Sequence, residues 1–227
     1  MTDRSRLFAN RVAAGSALGT AVAAHKWPHP VVVLGLPRGG VPVAYEVAKA
    51  LAAPLDVMIV RKIGMPGQPE FAIGAIASGD VTVRDRAGLA GSEEDFERLA
   101  TRERAELQRR EHAYRRGAPP LDLRGKTVIL VDDGIATGAT MLAAVRATRR
   151  AGAAQVVIAT PVASVEAVAT LGKEADEVIC LQRPAFFMSI SEWYGEFAQL
   201  QDAEVCAVLD AARVARSSHA STPEGRR

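Results

Sequence analysis

Two adjacent aspartates, Asp132 and Asp133, are the side chains of this sequence whose types and position best suit ligand chemistry. They follow the apolar run 128–131 directly, and the small-residue segment 134–140 leads from them into a helical pattern. A strand that ends in such a turn before a helix points several free backbone N–H groups at one spot, where the helix dipole favours an anion. The pattern therefore predicts an anion-binding turn beside two carboxylates.

The turn has the features expected of a phosphate site that adjoins a sugar site. Thr137 and Thr140 supply hydroxyl donors, and Gly138 lets the backbone approach a ligand closely. The two carboxylates can accept hydrogen bonds from vicinal sugar hydroxyls and can offset positive charge that develops on the sugar. Ribose 5-phosphate presents both features, whereas simple capping of the turn by the aspartates is the structural alternative. The segment is neither a Walker A loop, since no lysine follows its glycine, nor a Gly-x-Gly-x-x-Gly fingerprint.

The run Val-Asp-Asp-Gly-Ile-Ala-Thr-Gly-Ala-Thr at 131–140 resembles the phosphoribosyl pyrophosphate motif of type I phosphoribosyltransferases. The resemblance implies that Asp132 and Asp133 bind the ribose hydroxyls, act in catalysis and hold Mg²⁺, mostly through the ligand and water. It also implies that the 5-phosphate is bound by Ala136, Thr137, Gly138, Ala139 and Thr140. The sequence departs from the family pattern at Gly134, where a branched apolar residue is common, and at Ala136, where Thr or Ser is common.

A second loop follows the first apolar run and consists of Pro37, Arg38, Gly39 and Gly40. Two glycines after a cation can bring backbone N–H groups and a guanidinium onto an anion. On the residues alone, a tight strand-to-helix turn is an equal alternative. In the resembled family the corresponding loop binds pyrophosphate, so the resemblance implies a catalytic role for Arg38 and a cis peptide bond between Pro37 and Arg38.

Arg61 and Lys62 close the second predicted strand, 55–60. They are interpreted either as exposed bases or as a second contact to the pyrophosphate at the same sheet edge. The sequence from Arg61 to Glu70 is rich in Gly and Pro and is predicted to be a loop. Within it, the resemblance makes segment 63–70 a candidate for the mobile lid that these enzymes close over the donor, where water must be kept from a ribosyl cation.

An aromatic cluster follows the last predicted strand and defines an acceptor-side segment, 183–200. In purine phosphoribosyltransferases an aromatic residue of the equivalent segment stacks on the base, and a nearby acid assists. The resemblance therefore makes Phe187 or Phe186 the stacking candidate and Glu192 the polar one. Packing of a C-terminal lobe is the alternative for the aromatic residues, above all for Trp193, Tyr194 and Phe197.

Alternating strands and helices predict an α/β fold with a mainly parallel, twisted sheet and helices on both faces. Helices are predicted at 8–25, 41–52, 92–116, 139–151, 164–171 and 202–213, and strands at 31–36, 55–60, 71–77, 81–84, 127–131, 155–160 and 177–181. We expect one phosphoribosyltransferase-like domain over 1–216, with a small hood lobe, a charged helical insertion at 92–116 and a disordered tail at 217–227. Ser92 is the predicted cap of the charged helix.

The 227-residue chain has a formal net charge of +2, from 28 basic and 26 acidic residues. This balance gives no long-range reason to expect nucleic acid or an anionic membrane as a partner. The apolar runs are shorter than the roughly 20 residues of a transmembrane helix. Cys180 and Cys206 are too few for a disulfide scaffold and indicate reduced thiols. We expect a cytoplasmic protein, and the resemblance adds a homodimer, the usual state in the family.

The resemblance implies transfer of 5-phosphoribosyl from phosphoribosyl pyrophosphate to a nitrogenous, nucleobase-like acceptor, with Mg²⁺ as cofactor and release of pyrophosphate. The alternative is a non-catalytic regulatory protein of the same fold that binds phosphoribosyl pyrophosphate or a nucleotide. Ala136 and the long charged helix would both suit such a regulator. A pyrophosphokinase ranks last, because it would need an ATP site and usually a longer, two-domain chain.

Overall fold

The computed structural model describes residues 7–65, 68–79, 81–84 and 93–220. The helices are α1 (Arg11–Ala23), α2 (Gly40–Leu51), α3 (Glu93–Arg115), α4 (Ala139–Arg150), α5 (Val165–Leu171) and α6 (Asp202–Ala220). The strands are β1 (Val31–Gly35), β2 (Leu55–Val57), β3 (Val60–Met65), β4 (Gln68–Ala77), β5 (Val81–Arg84), β6 (Thr127–Val131), β7 (Gln155–Val162) and β8 (Glu177–Gln182). A short 3₁₀ turn, Ser191–Trp193, precedes α6.

The main sheet has five parallel strands in the order β2-β1-β6-β7-β8. Side chains alternate between its two faces along each strand. In β6, Leu130 shares a buried cluster with Met141 of α4, whereas Ile129 shares one with Leu18 of α1 and Val47 of α2. Both faces are therefore covered by helices, which explains the continuous apolar strands and confirms the predicted α/β fold.

The strand order creates a crevice between β1 and β6 at the carboxyl edge of the sheet. From β1 the chain passes through α2 to β2 on one side, and from β6 it passes through α4 to β7 on the other. Two neighbouring strands whose connections leave in opposite directions form a topological switch point, where open α/β sheets bind their ligands. The loops that follow β1 and β6 are the two loops to which the sequence assigned ligand chemistry.

The strands β3, β4 and β5 form a separate antiparallel sheet that contacts α3 and α4. The pairing of β4 with β5 confirms the predicted strand pair. The prediction of one strand over 55–60 and a loop over 61–70 is wrong, because β2 ends at Val57 and β3 and β4 pair with each other. Gly64 suggested a loop, but it lies where the register of β3 shifts, and such a bulge accommodates glycine in a strand. Residues 66 and 67 of the candidate lid lie outside the described ranges.

Helix α3 confirms the long charged helix predicted over 92–116, although the predicted cap Ser92 lies outside the described residues. Its sparse apolar positions form one buried stripe that includes Phe96, Leu107 and Tyr114. Helix α6 continues to Ala220, beyond the predicted end at Arg213 and four residues into the segment predicted as a tail.

Candidate functional site

The loops after β1 and β6 lie directly against each other in the crevice. A Cβ atom at Gly39 would stand 1.9 Å from Oδ2 of Asp133, and one at Gly40 would stand 2.6 Å from the carbonyl oxygen of Val131. Only residues without a side chain allow this approach. The peptide bond between Pro37 and Arg38 is cis, as the family resemblance implied. The structure therefore brings the predicted pyrophosphate loop and the predicted ribose carboxylates together.

Asp133 is held by two residues that sequence reasoning did not select as site residues. Nε of Arg11 donates a hydrogen bond to its Oδ2 at 2.8 Å, and the hydroxyl of Tyr194 donates to its carbonyl oxygen. The same arginine donates from Nη1 to the carbonyl oxygen of Ala198 at 2.8 Å and lies 3.9 Å over the ring of Phe197. Arg11 thus ties the aspartate to the segment before α6. The only sequence signal for Tyr194 was its membership of the aromatic cluster, whereas Arg11 offered none.

Asp132 turns back on the local backbone, where its Oδ1 accepts a 2.9 Å hydrogen bond from the N–H of Asp133. Burial raises the pKa of Asp132 well above its usual range, and the neighbouring carboxylate adds to this effect. Burial also raises the pKa of Asp133, although Arg11 opposes the rise. The fold therefore places two carboxyl groups where negative charge is poorly solvated, and hydroxyl donors or cations from a ligand would stabilise them.

The predicted phosphate turn, 134–140, is hydrogen-bonded to the end of β7 and to the residues that follow it. The N–H of Ile135 donates to the carbonyl oxygen of Val162 at 2.9 Å, and the Ser164 hydroxyl donates to the carbonyl oxygen of Ala136 at 2.6 Å. Gly138 then adopts a left-handed conformation with φ of 78° and immediately precedes α4, whose first N–H groups have no partners inside the helix. These bonds give the turn a fixed shape before any ligand binds.

The ligand side of the turn is open. Ala136, Thr137 and Ala139 are exposed, and Thr140 is partly exposed. Within the described ranges no hydrogen bond engages the hydroxyl of either threonine, so both can serve a phosphate. Gly134, the first departure from the family pattern, lies against Ile190, whose Cγ2 would be 2.5 Å from a Cβ atom there. The side chain of Ile190, from the acceptor-side segment, therefore occupies the space that a branched side chain at position 134 would fill.

A cleft of about 340 Å³ opens beside the two loops. It is lined by Arg11, Arg38, Gly39, Asp133, Phe197, Ala198, Gln199 and Leu200. The Arg38 guanidinium is about one-third exposed, and its Nη1 lies 3.9 Å from Oδ1 of Asp202. Two guanidinium groups and a glycine-lined backbone at one cleft suit a polyanionic ligand.

Arg61 and Lys62 point to opposite faces of the small sheet, since consecutive residues of a strand do so. The Arg61 guanidinium pairs with Glu103 of α3 at 2.7 Å. Lys62 is exposed and lines a small cleft together with Ala139, the first residue of α4. The two cations therefore have different neighbours, and a pyrophosphate contact by Arg61 would require its ion pair to open.

The residues predicted to contact the acceptor differ in their exposure. Phe186 is 92% exposed, whereas Phe187 packs against a small cluster that contains Trp193 and Tyr194. Glu192 is exposed. The aromatic residues that pack a lobe thus include Phe187 in addition to Trp193 and Tyr194, whereas Phe186 is almost fully exposed.

Asp132 and Asp133 can provide only some of the ligands that the predicted Mg²⁺ ion needs. In the described ranges no group of three or more His, Cys, Asp or Glu side chains is placed to hold a metal ion. Mg²⁺ is commonly bound by one or two carboxylates with substrate phosphates and water. Asp132 and Asp133 can supply those one or two ligands, and a bound diphosphate would have to supply others.

The model of the phosphoribosyl transferase domain family matches residues 10–194. The chain therefore belongs to this family. Two proteins of Mycobacterium tuberculosis, from strains CDC 1551 / Oshkosh and ATCC 25618 / H37Rv, carry provisional phosphoribosyl transferase names and are each 50% identical to it over 185 residues. The match covers 80% of this chain and 42% of each relative, so the chain spans less than half their length.

Two solved structures share the fold of this chain. The crystal structure of TT1426 from Thermus thermophilus is 44% identical in sequence, covers 89% of this chain and 97% of its own, and superposes with a TM-score of 0.80. A hypothetical protein from Neisseria gonorrhoeae, solved with bound ppGpp, shares the fold at 14% identity and a TM-score of 0.50, over 91% of this chain and 97% of its own.

Among the described residues, no helix has the length and apolar character needed to cross a membrane.

Proposed function

We propose that the chain transfers a 5-phosphoribosyl group from phosphoribosyl pyrophosphate to a nitrogenous base and releases pyrophosphate. The observation that carries the proposal is the direct contact between the Gly39–Gly40 loop and the Asp132–Asp133 pair at the switch point of the sheet. One crevice would thereby supply a partner for each group of this donor: a loop for the pyrophosphate, two acceptors for the sugar hydroxyls and a turn for the 5-phosphate.

In the proposed reaction the chain mainly positions the donor and stabilises charge. The turn from Ala136 to Thr140 binds the 5-phosphate through backbone N–H groups and the two threonine hydroxyls. Asp132 and Oδ1 of Asp133 accept the ribose hydroxyls and offset the positive charge of an oxocarbenium-like transition state. Arg38 and the N–H groups of the Gly39–Gly40 loop hold the pyrophosphate as its bond to the anomeric carbon breaks.

Mg²⁺ would be held by Asp132 and Asp133, largely through water and the donor's oxygens, and would neutralise charge on the leaving pyrophosphate. Lys62, near the first residue of α4, adds a cation on the 5-phosphate side. For the acceptor, the exposed ring of Phe186 offers a surface on which a base can stack, and Glu192 is the polar candidate. Phe187 would need to leave its packed position to take the same role.

The experiment is incubation of the protein with phosphoribosyl pyrophosphate, Mg²⁺ and a panel of purine and pyrimidine bases, with release of pyrophosphate as the readout. We expect base-dependent release for at least one base and loss of that release in Arg38→Ala. Release that is independent of any base would indicate hydrolysis of the donor. A folded protein that neither binds the donor nor releases pyrophosphate would contradict the proposal.

A regulatory protein that binds the donor without turnover is the second candidate. It is favoured by one observation, namely that Ala136 lies exposed on the phosphate turn where the family usually has a hydroxyl. Saturable donor binding without release for any base would support the regulator. Ala136→Thr is the matched variant, because added turnover or tighter donor binding there would show that the missing hydroxyl limits the site.

A further inference from the structure

Asp202, the first residue of α6, lies between the pyrophosphate loop and the charged helix α3. Its Oδ1 is 3.9 Å from Nη1 of Arg38, and the same oxygen accepts a 2.7 Å hydrogen bond from the hydroxyl of Tyr114. Arg38 in turn lines the cleft beside Gly39 and Asp133. One carboxylate therefore connects the charged helix, whose role the sequence left open, to the cation of the pyrophosphate loop.

Tyr114 is completely buried and fixes the position of this carboxylate. It shares an apolar cluster with Val205 and Leu209 of α6 and with Val41, in the first turn of α2. Because α2 begins at the end of the pyrophosphate loop, this cluster fixes the loop, α6 and the tyrosine relative to one another. Burial raises the pKa of Tyr114, and the hydrogen bond to Asp202 raises it further, so the hydroxyl remains a donor.

We propose that Asp202 is a positioning residue for Arg38: it holds the guanidinium in the ligand-free cleft and competes with pyrophosphate for it, so that its charge lowers anion affinity. The inference rests on the proposed function, since it takes Arg38 as a pyrophosphate ligand. At 3.9 Å, with both side chains a third or more exposed, the pair has Coulomb attraction without a hydrogen bond. A pyrophosphate with several charged oxygens can therefore displace the carboxylate. Tyr114 limits the competition, because its hydroxyl donates to the oxygen nearest Arg38.

Substitutions of Asp202 and Tyr114 are expected to change the affinity for pyrophosphate in opposite directions. Asp202→Asn keeps the size of the side chain and an oxygen for the Tyr114 hydroxyl but removes the competing charge. We expect it to bind pyrophosphate about 1.5- to 5-fold more tightly, the range typical of an exposed ion pair. Tyr114→Phe leaves the full charge of Asp202 to Arg38 and should weaken binding. If Asp202 merely supported the fold, its replacement by Asn would weaken the binding of pyrophosphate.

The test is calorimetric titration of the full chain with inorganic pyrophosphate and, separately, with phosphoribosyl pyrophosphate, both with Mg²⁺. The gain in Asp202→Asn should disappear in the Arg38→Ala background, and Tyr114→Phe should have no effect on affinity once Asp202→Asn is present. Asp210→Asn is the matched control, since this aspartate of the same helix pairs with Arg116 and Arg213 and should leave affinity unchanged.

The outcomes separate this inference from the proposed function. Absence of donor binding by the wild-type chain would overturn the proposed function and this inference with it. Donor binding that Asp202→Asn weakens or leaves unchanged would overturn the role of Asp202 alone. A gain in Asp202→Asn that persists without Arg38 would likewise contradict it, because the effect would then not pass through that side chain.

Discussion

At the scale of single residues, Asp132 shows the conflict between binding and stability. Its pKa is raised by burial and by Asp133, so the folded chain holds its proton more tightly than the unfolded chain, where an aspartate titrates near pH 3.9. Stability is therefore lost as the pH rises from that value through the raised folded pKa. Under the proposed function, a ligand with hydroxyl donors and Mg²⁺ would offset this cost by binding both carboxylates.

Asp132→Asn is expected to stabilise the ligand-free protein. The amide oxygen can still accept from the N–H of Asp133, while the poorly solvated charge is gone. The melting temperature should exceed that of the wild type at about pH 8, and the difference should shrink as the pH falls towards about 4. Thermal melts across this range provide the measurement. A lower melting temperature at every pH would show that the charge is compensated within the protein.

Arg11→Met is expected to destabilise the chain by about 3 kcal/mol or more, because it leaves the buried Asp133 carboxylate without its partner. The double variant Arg11→Met/Asp133→Asn should recover a large part of this loss, since the unpaired charge is then removed. Urea unfolding of the two single variants and the double variant completes the cycle. Simple additivity of the two losses would mean that the 2.8 Å contact does not couple these residues.

At the level of secondary-structure elements, the sequence best predicted those features that depend on residues close together in the chain. The strands of the main sheet are continuous apolar runs because both faces are buried, and the motif at 131–140 lies within one strand-turn-helix unit. The small sheet was missed in part because glycine and proline in β3 and β4 are ordinary loop signals. Arg11 was missed because 122 positions separate it from Asp133, and only the packing of α1 against the sheet brings them together.

Helix α3 is joined to the core by a buried ion pair at its C-terminal end. Nε of Arg115 lies 3.0 Å from Oδ2 of Asp56, and the same oxygen accepts from the N–H of Leu121. Arg115 also pairs with Glu111 at 2.8 Å. The end of the charged helix and the chain that leaves it are thus both fixed to β2.

Arg115→Leu is expected to cost about 3–5 kcal/mol, because Asp56 is left buried without its cation. Urea unfolding measures the loss, and hydrogen exchange should show faster opening of α3 than of β6. Arg98→Ala is the matched control on the same helix, since its pair with Asp95 is exposed and should contribute less than about 1 kcal/mol. Equal losses for the two variants would contradict a role for the buried pair in holding the helix.

At the scale of the whole molecule, the site is assembled from segments far apart in the chain. The predicted pyrophosphate loop follows β1, and the two aspartates and the predicted phosphate turn follow β6. The chain after β8 packs on the loop after β6 through the contacts of Ile190 with Gly134 and of Tyr194 with Asp133. Topology, rather than any one motif, brings them to one crevice. The predicted homodimer and the predicted cytoplasmic location stay predictions, as does the order of the last seven residues, which lie outside the described ranges.

The most direct test of the account is a calorimetric titration of phosphoribosyl pyrophosphate with Mg²⁺ into the wild-type chain and into Asp132→Asn/Asp133→Asn. The wild type should bind the donor saturably, and the double variant should bind it roughly ten- to a hundred-fold more weakly, because hydrogen bonds to charged groups are lost. Circular dichroism confirms that the variant is folded before the titration. A folded double variant with undiminished donor affinity would show that the ribose site lies elsewhere.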